Sequence, residues 1–321
     1  MASEHDGAYN DIGLLVRAAE SYYLENKTQA QIAKLLGVSP STVSRLLSRA
    51  REEGVVRIAI VRPQGRNDSL EQTLRQRFGI DESIVASVAA GASDDDAVRR
   101  VISAVAAPYV DALIKPGMIV GIGRSRTLAA LADALQRLAT PRHITIVQVM
   151  GEFDSQQSPT RSAELTRQLA EMYAGTSYFL NAPALVEDPA LADLLLRTPG
   201  VRQVLPFYDR LDMMLVGVGP LHGSPLDMNG LLTREQLARL EAAGAVGDIC
   251  GHFFAADGRL VDDVYPGRAI GISWEQLRRC PCIVAIAAGD GKVPALRTLL
   301  EARLVRFLVT DERTALQIVH A

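Results

Sequence analysis

The chain has 321 residues, 48% of them hydrophobic, and a formal net charge of −3. The length suits one large domain plus a small one, and the near-neutral charge neither indicates nor excludes a nucleic-acid partner, because only local charge decides that. Three cysteines argue against a disulfide framework. The apolar runs are far shorter than the roughly 20 residues that cross a bilayer, and we expect a cytoplasmic protein without a secretory signal.

The N-terminal region carries the start and stop signals of short helices. Apolar spacing predicts a first helix over residues 10–25. Thr28, with Gln31 three residues later, forms a capping box in front of a second helix at 29–36. Gly37 then suits the left-handed position that follows a helix.

A third helix opens on Ser39 as its cap, with Pro40 at the first position, where a missing N–H costs nothing. Its apolar residues recur at i, i+3, i+4 and i+7 and predict a buried stripe of Val43, Leu46, Leu47 and Ala50. The apolar run at 55–61 predicts a strand, which suits the wing of a winged domain.

Two short helices with a tight turn and a wing predict a helix-turn-helix that reads DNA. From Pro40 to Arg62 five arginines stand against two glutamates, so the local charge is +3. Small hydroxyl side chains suit base edges and arginines suit phosphates, so we predict as DNA-binding residues Thr28, Ser39, Ser41, Thr42, Ser44, Arg45 and Arg49. The alternative, an ordinary helical hairpin with a solvated face, is disfavoured by the consecutive caps, the proline and the wing.

Residues 63–68 look like a linker, and an amphipathic helix at 70–79 follows it. Its stripe of Leu70, Leu74 and Phe78 has two interpretations: it pairs two chains, or it docks on the domain that follows it in its own chain. Beyond it, apolar runs without polar alternation are interspersed with helical stretches, which predicts a mostly parallel sheet with helices on both sides. These predicted strands begin at residues 83, 118, 144, 178, 213, 282 and 305.

The strand at 118–122 leads through a glycine turn into a helix that starts near Arg126 or Thr127. Free N–H groups and the positive end of that helix predict an anion site at the carboxyl edge of the sheet. Gly123, Ser125, Arg126 and Thr127 are its candidate residues, with Arg124 as an alternative source of charge. Gly121 and Gly123 lack the third glycine of a dinucleotide fingerprint, so we expect no NAD. The alternative is a merely tight turn between strand and helix.

Three further residues are predicted to bind the effector. Gly219 lies in a second glycine turn, which we expect beside the first at the same sheet edge. Asp248, between glycines, suits sugar hydroxyls, unless it only caps a turn. Lys292 precedes a helix and would neutralise the anionic end of a ligand or pair with Asp248. No histidine pair has metal spacing, so we expect no metal, no cofactor and no catalytic residue.

The residues "QIAKLLGVSPSTVSRLLSRAREEGVV" (31–56) resemble the N-terminal domain of SorC-type sugar-responsive transcriptional regulators of bacteria. The remaining chain is similar to their effector domain, which is related to DeoR-type regulators and sugar-phosphate isomerases. The matching stretches are "VGIGRSRTLAALADAL" (120–135), "LVGVGPL" (215–221), "GDICGHFFAADGRLV" (247–261) and "VTDERTA" (309–315), with Arg-Ser-Arg in place of the usual loop. The resemblance implies a Rossmann-like effector domain, a phosphate at the first loop, effector contacts at Asp248 and Lys292, and a tetramer.

We therefore predict an α/β protein that consists of a winged helix-turn-helix domain (1–62), a linker helix (63–80) and an effector-binding and oligomerisation domain (81–321). As a regulator it would bind double-stranded operator DNA under control of a phosphorylated sugar or polyol, as a homotetramer built from two dimers. The alternative is a sugar-phosphate isomerase or deaminase with an accessory helical domain. Such an enzyme needs a positioned base near the phosphate loop, and Asp248 is the candidate.

Overall fold

The computed structural model describes residues 4–25, 27–56, 65–88, 95–153, 162–228, 230–261 and 264–320. The chain divides into two compact units, Met1–Arg62 and Pro63–Ala321. The predicted wing strand at 55–61 falls mostly on residues 57–64, which lie outside the described residues.

The described residues of the first unit form three helices: α1 (Glu4–Tyr23), α2 (Gln29–Leu36) and α3 (Pro40–Glu52). Leu15, Ile32 and Val43, one from each helix, are fully buried and form the centre of its core. Helix α2 has the bounds that its caps predicted. Helix α1 begins six residues before the predicted start, because the apolar periodicity used to find it begins only at Ile12, whose side chain proves to be 51% exposed.

The second unit is built on a seven-stranded parallel sheet. Its strands are β1 (Glu82–Ala86), β2 (Ile119–Ile122), β3 (Thr145–Gln148), β4 (Thr176–Tyr178), β5 (Met213–Val216), β9 (Ile283–Ile286) and β10 (Phe307–Asp311). Their order in the sheet is β1-β10-β9-β5-β2-β3-β4, and every neighbouring pair is parallel. The α/β class predicted from the apolar runs is confirmed.

Helices cover both faces of this sheet, so its strands are apolar on both sides. One face packs against α5 (Asp95–Leu113), α6 (Arg126–Leu135) and α7 (Ser162–Met172). The other packs against helices that include α4 (Asp68–Phe78), α8 (Pro189–Arg197), α9 (Pro199–Arg202), α10 (Leu205–Tyr208), α13 (Trp274–Arg279), α14 (Val293–Glu301) and α15 (Glu312–His320). The residues of β5 alternate between the two faces. Met213 and Leu215 pack with α5, α6 and α7, whereas Met214 and Val216 pack in the core on the opposite face.

A small antiparallel sheet extends the second unit. Its strands are β6 (Gly219–Pro220), β7 (Ala245–Ile249) and β8 (His252–Ala255). Helices α11 (Pro225–Met228) and α12 (Arg234–Ala242) lie between β6 and β7 in the chain. The register places Gly219 directly opposite Asp248, which brings two of the predicted effector residues together.

Helix α4 docks on its own α/β unit. It begins at Asp68, two residues before the predicted start, because the Asn67 side chain accepts a hydrogen bond from the Leu70 N–H at 3.1 Å and caps the helix. Leu74 and Phe78 are buried against the rest of that unit, so the apolar stripe is used within the chain. Glu71, 1% exposed, accepts a hydrogen bond from the Val85 N–H at 2.9 Å and fixes the helix to β1.

Strand β4 lies before the position predicted from the apolar run at 178–182. Its ladder with β3 ends at the pair Val147 and Tyr178. The Gln148 side chain then accepts a hydrogen bond from the Leu180 N–H at 3.2 Å, which takes over from the backbone ladder. Among the described residues, every helix is too short or too polar to cross a membrane.

Candidate DNA-reading helix and effector site

The turn between α2 and α3 is held by local hydrogen bonds. The Gln31 N–H donates to the Thr28 hydroxyl at 3.3 Å, and the Thr28 N–H donates to the Gln31 side chain at 2.9 Å, which is the predicted capping box. Gly37 has φ +68°, the left-handed conformation that a residue without a Cβ adopts most easily. The Ser39 hydroxyl accepts from the Thr42 N–H at 3.1 Å and opens α3. Thr28 and Ser39 are therefore engaged in capping.

Helix α3 buries its predicted stripe and leaves the polar face outward. Ser41, Ser44 and Arg45 are exposed. Arg49 forms a two-nitrogen ion pair with Glu53, with distances of 3.0 and 2.8 Å. No hydrogen bond or ion pair involves Arg45 within the described ranges, so its guanidinium is accessible to a phosphate or a base edge.

The predicted effector residues lie at the point where the parallel sheet changes its direction of winding. From β2 the chain continues to β3 on one side, whereas from β5 it continues towards β9 on the other. In sheets of this kind the crevice outside the carboxyl ends of two such strands is the usual ligand position. The loop 123–125 follows β2 and the glycines at 217 and 219 follow β5, so the topology places both loops at this crevice.

The first loop closes tightly onto the second. The Ser125 hydroxyl accepts a hydrogen bond from the Thr127 N–H at 3.1 Å and caps α6. A Cβ atom at Gly217 would lie 2.6 Å from the Ser125 Cβ, so only glycine fits at that position. Thr127 is 2% exposed, whereas Arg126 is exposed. The open N–H end of α6, with a hydroxyl and a guanidinium beside it, can bind an anion.

The two arginines of the loop take different positions. The Arg124 guanidinium lies over the Phe153 ring, 4.4 Å from its centroid. Burial lowers the pKa of Arg124, and the charge of Glu152 opposes that change. Arg126 therefore remains as the exposed cation at the start of α6.

Asp248 is a buried carboxylate that the described residues satisfy only in part. It is 6% exposed, and its Oδ2 accepts a hydrogen bond from the Gly251 N–H at 3.3 Å. Its Oδ1 is buried and has no hydrogen-bond partner in the described part of the chain. Burial raises the pKa of Asp248 to about 6, although the Gly251 N–H and the charge of Lys292 oppose the rise. A donor such as a sugar hydroxyl would satisfy this oxygen.

Lys292 lies half-buried in the turn between β9 and α14. Burial lowers its pKa to about 8, helped by the charges of Arg99 and Arg126 and opposed by those of Asp95 and Asp248. It is thus still mostly a cation at neutral pH. The described residues contain no ion pair between Lys292 and Asp248.

Thr314 holds the turn that presents Lys292, a role the sequence did not reveal. Its hydroxyl accepts a hydrogen bond from the Gly289 N–H at 2.8 Å. Its own N–H donates to the buried Asp311 carboxylate at 2.7 Å, which caps α15. An aspartate three residues before a threonine at a helix start is a capping signal, but it says nothing about the distant Gly289. Within the described ranges, no group of three or more His, Cys, Asp or Glu side chains is placed to hold a metal ion.

Comparison with known proteins finds matches in two separate parts of the chain. Residues 20–53 match the family model of sigma-70 region 4, and residues 62–320 match the model described as "Putative sugar-binding domain". The chain is 32% identical to the sorbitol operon regulator of Klebsiella pneumoniae over 95% of this chain and 97% of that protein. It is 28% identical to the deoxyribonucleoside regulator of Bacillus subtilis, over 96% and 97%. The crystal structure of full-length SorC from Klebsiella pneumoniae superposes with a TM-score of 0.75 at 31% identity, covering 96% of this chain and 99% of that one.

A helix-turn-helix joined to a sugar-binding α/β domain defines a DNA-binding transcriptional regulator. These relatives are regulators and not enzymes, which confirms the first hypothesis over the sugar-phosphate isomerase or deaminase. The chain belongs to the family of sugar-binding transcriptional regulators that includes the sorbitol operon regulator SorC.

Proposed function

We propose that the chain controls a carbohydrate or polyol catabolic operon, and that a phosphorylated sugar or polyol bound at the sheet edge changes its affinity for operator DNA. The two curated relatives are named for a polyol operon and for deoxyribonucleosides, which supports a small carbohydrate-like effector. The proposal divides the chain into the DNA-binding domain (1–62), the linker helix (63–80) and the effector and oligomerisation domain (81–321). Such a regulator acts where the operator is, in the cytoplasm.

The observation that carries the effector proposal is the buried, partly unsatisfied carboxylate of Asp248 at a crevice that also holds a helix N-terminus and a lysine. A sugar phosphate has the complementary groups. Its phosphate would bind the N–H groups at the start of α6 with Ser125, Arg126 and Lys292. Its hydroxyls would donate to Asp248 next to Gly219.

A thermal-shift screen of sugar and polyol monophosphates tests this proposal, with the unphosphorylated compounds as controls. A ligand that binds only the folded chain stabilises it by about 2.7 kcal/mol at one hundred times its Kd. The phosphorylated members should raise the melting temperature, and Asp248→Asn and Lys292→Met should each weaken that effect. If the phosphorylated compounds stabilise both variants as strongly as the wild-type chain, the ligand binds at another site.

For the DNA, we propose that the outward face of α3 lies in the major groove, with Ser41, Thr42, Ser44 and Arg45 towards base edges and Arg49 towards phosphates. Arg49 would exchange Glu53 for a phosphate on binding. Fluorescence anisotropy with the DNA upstream of the regulated operon, repeated at several salt concentrations, gives the number of phosphate contacts from the salt slope.

We also propose that the protein assembles as a homotetramer of two dimers. One helix-turn-helix covers few base pairs, and a two-fold pair supplies two half-sites one helical turn or a multiple of it apart. The effector domain carries exposed apolar side chains on α8, where Leu191 is 45% and Leu194 64% exposed, and these suit contact with a second copy. Light scattering of the free protein measures the assembly, and a monomer at micromolar concentration with and without effector would contradict it.

A further inference from the structure

Arg99 of α5 lies at the same sheet edge as the proposed effector site, although no sequence pattern pointed to it. Helices α5 and α6 follow the parallel strands β1 and β2, so both begin at the carboxyl edge of the sheet. The Ser103 hydroxyl donates to the Thr127 carbonyl at 3.1 Å, which shows that this face of α5 contacts the first turn of α6. Arg99 precedes Ser103 by one helical turn on the same face, and its side chain points back towards the start of α5.

The Arg99 side chain is mostly buried, but its anionic partners are exposed. The side chain is 14% exposed, whereas those of Asp95 and Asp96 are 85% and 62% exposed. Its Nη1 lies 3.9 Å from the Asp95 carboxylate, and its Nη2 donates to the Asp96 carboxylate. Exposed carboxylates of this kind hold a cation weakly, because water and salt screen the pair.

Arg99 also shares an electrostatic environment with the cations of the proposed site. Burial is the largest cause of the lowered pKa of Lys292. The charges of Arg99 and Arg126 are the next two causes. Arg126 in turn contributes, after Arg99, to the lowered pKa of Asp96. Three cations are therefore close enough to disfavour one another, and an anion placed among them would relieve that repulsion.

We propose that Arg99 is an effector-binding residue, which binds the anionic group of the ligand together with the N-terminus of α6 and Lys292. The carboxylates of Asp95 and Asp96 hold its guanidinium until that anion replaces them. A phosphate carries a charge of about −1.5 to −2 and accepts two parallel hydrogen bonds from an arginine, so it competes well with screened carboxylates. This inference rests on the proposed function, because it concerns the anionic end of the same site.

The test uses the full chain and inorganic phosphate, titrated at constant ionic strength against chloride and followed by the melting temperature. Arg99→Gln should weaken phosphate binding about tenfold, and Arg99→Lys should restore part of it. Asp96→Asn should act in the opposite direction and strengthen binding about two- to threefold, because it removes a competing carboxylate. Arg167→Gln is the matched control, since it removes an arginine that also pairs with two carboxylates on an exposed helix surface, with Glu164 and Glu171.

The outcomes separate this inference from the proposed function. If Ser125→Ala weakens phosphate binding and Arg99→Gln leaves it unchanged, the site stands and the role of Arg99 is refuted. If phosphate does not stabilise the wild-type chain, or neither variant changes its binding, the anion site itself is refuted. Should Arg99→Gln fail to fold by circular dichroism, the Asp96→Asn measurement decides, and unchanged or weaker phosphate binding then overturns the inference.

Discussion

Replacement of Asp248 by asparagine should make the stability of the protein less sensitive to pH. The carboxylate is 6% exposed, and burial raises its pKa from 3.8 to about 6. An acid whose pKa is higher in the folded than in the unfolded chain holds its proton more tightly when folded. The wild-type chain should therefore be penalised as the pH rises from 3.8 through 6, and asparagine, which does not titrate, should remove that penalty.

The size of the effect follows from the pKa values. A shift of one unit corresponds to about 1.4 kcal/mol, so ionised Asp248 costs about 3 kcal/mol at neutral pH. At about pH 5 the carboxyl group is mostly protonated in the folded chain and mostly ionised in the unfolded one. Integration between about pH 5 and about pH 7.5 then leaves a difference of about 1.4 kcal/mol. Lys292, with a pKa of about 8, stays mostly protonated over this range and contributes little to the change.

The assay is urea unfolding of the wild-type chain and Asp248→Asn at both pH values. The variant should gain about 1.4 kcal/mol relative to wild type at the higher pH. Comparison between pH values cancels the unknown cost of the asparagine amide in this pocket, because that cost does not titrate. Asp257→Asn, which makes the same replacement in the exposed turn after β8, is the matched control.

A variant whose advantage over wild type is the same at both pH values would refute the reasoning, because Asp248 would then not be a buried titrating group. Effector binding supplies a second check. Sugar hydroxyls that donate to the carboxylate would lower its pKa again. The pH dependence of the wild-type chain should accordingly shrink when a stabilising sugar phosphate is present.

Three further variants test other parts of the molecule. Arg45→Ala should weaken operator binding by about 1–3 kcal/mol in a gel-shift titration at fixed salt, with an unchanged melting temperature, and unchanged affinity would mean that another residue reads the DNA. Ser125→Ala combined with Thr127→Ala should abolish the effector response and leave DNA binding intact; a normal response would place the phosphate elsewhere. Glu71→Ala should lower the free energy of unfolding by about 3–5 kcal/mol in urea, because it removes the carboxylate that pairs with the partly buried Arg66 and accepts from the buried Val85 N–H. A loss below 1 kcal/mol would show that the pair is already screened by water.

The helix-turn-helix was predictable almost to the residue because its signals are local. Thr28 caps α2 through Gln31, and Ser39 caps α3 through Thr42, so each boundary is encoded within four residues. The buried stripe of α3 likewise follows from helical spacing alone. The start of α1 was not encoded in this way, since its first turns lack apolar periodicity.

The proposed effector site was predictable only where a strand, a glycine turn and a helix follow one another directly. The loop at 123–127 meets that condition, and its cap at Ser125 is found where the sequence placed the start of the helix. Arg99 and Thr314 do not meet it. They reach the site through the contacts of Ser103 with Thr127 and of Thr314 with Gly289, which join residues 24 and 25 positions apart. No periodicity or cap of a single segment records such a pairing.

Two unfavourable features of the α/β unit lie at the sheet edge where we place the effector. At Asp248 a buried carboxylate oxygen has no hydrogen-bond partner among the described residues, and Lys292 lies half-buried near other cations, so each lowers the stability of the folded chain. A sugar phosphate would remove both of these costs in stability. Its hydroxyls would donate to the carboxylate, and its phosphate would neutralise the cations. The ligand would then gain most of its binding free energy from the groups whose hydrogen bonds and charges the protein alone leaves uncompensated. The proposed effector site would therefore cost stability in the free protein, and the ligand would return that stability on binding.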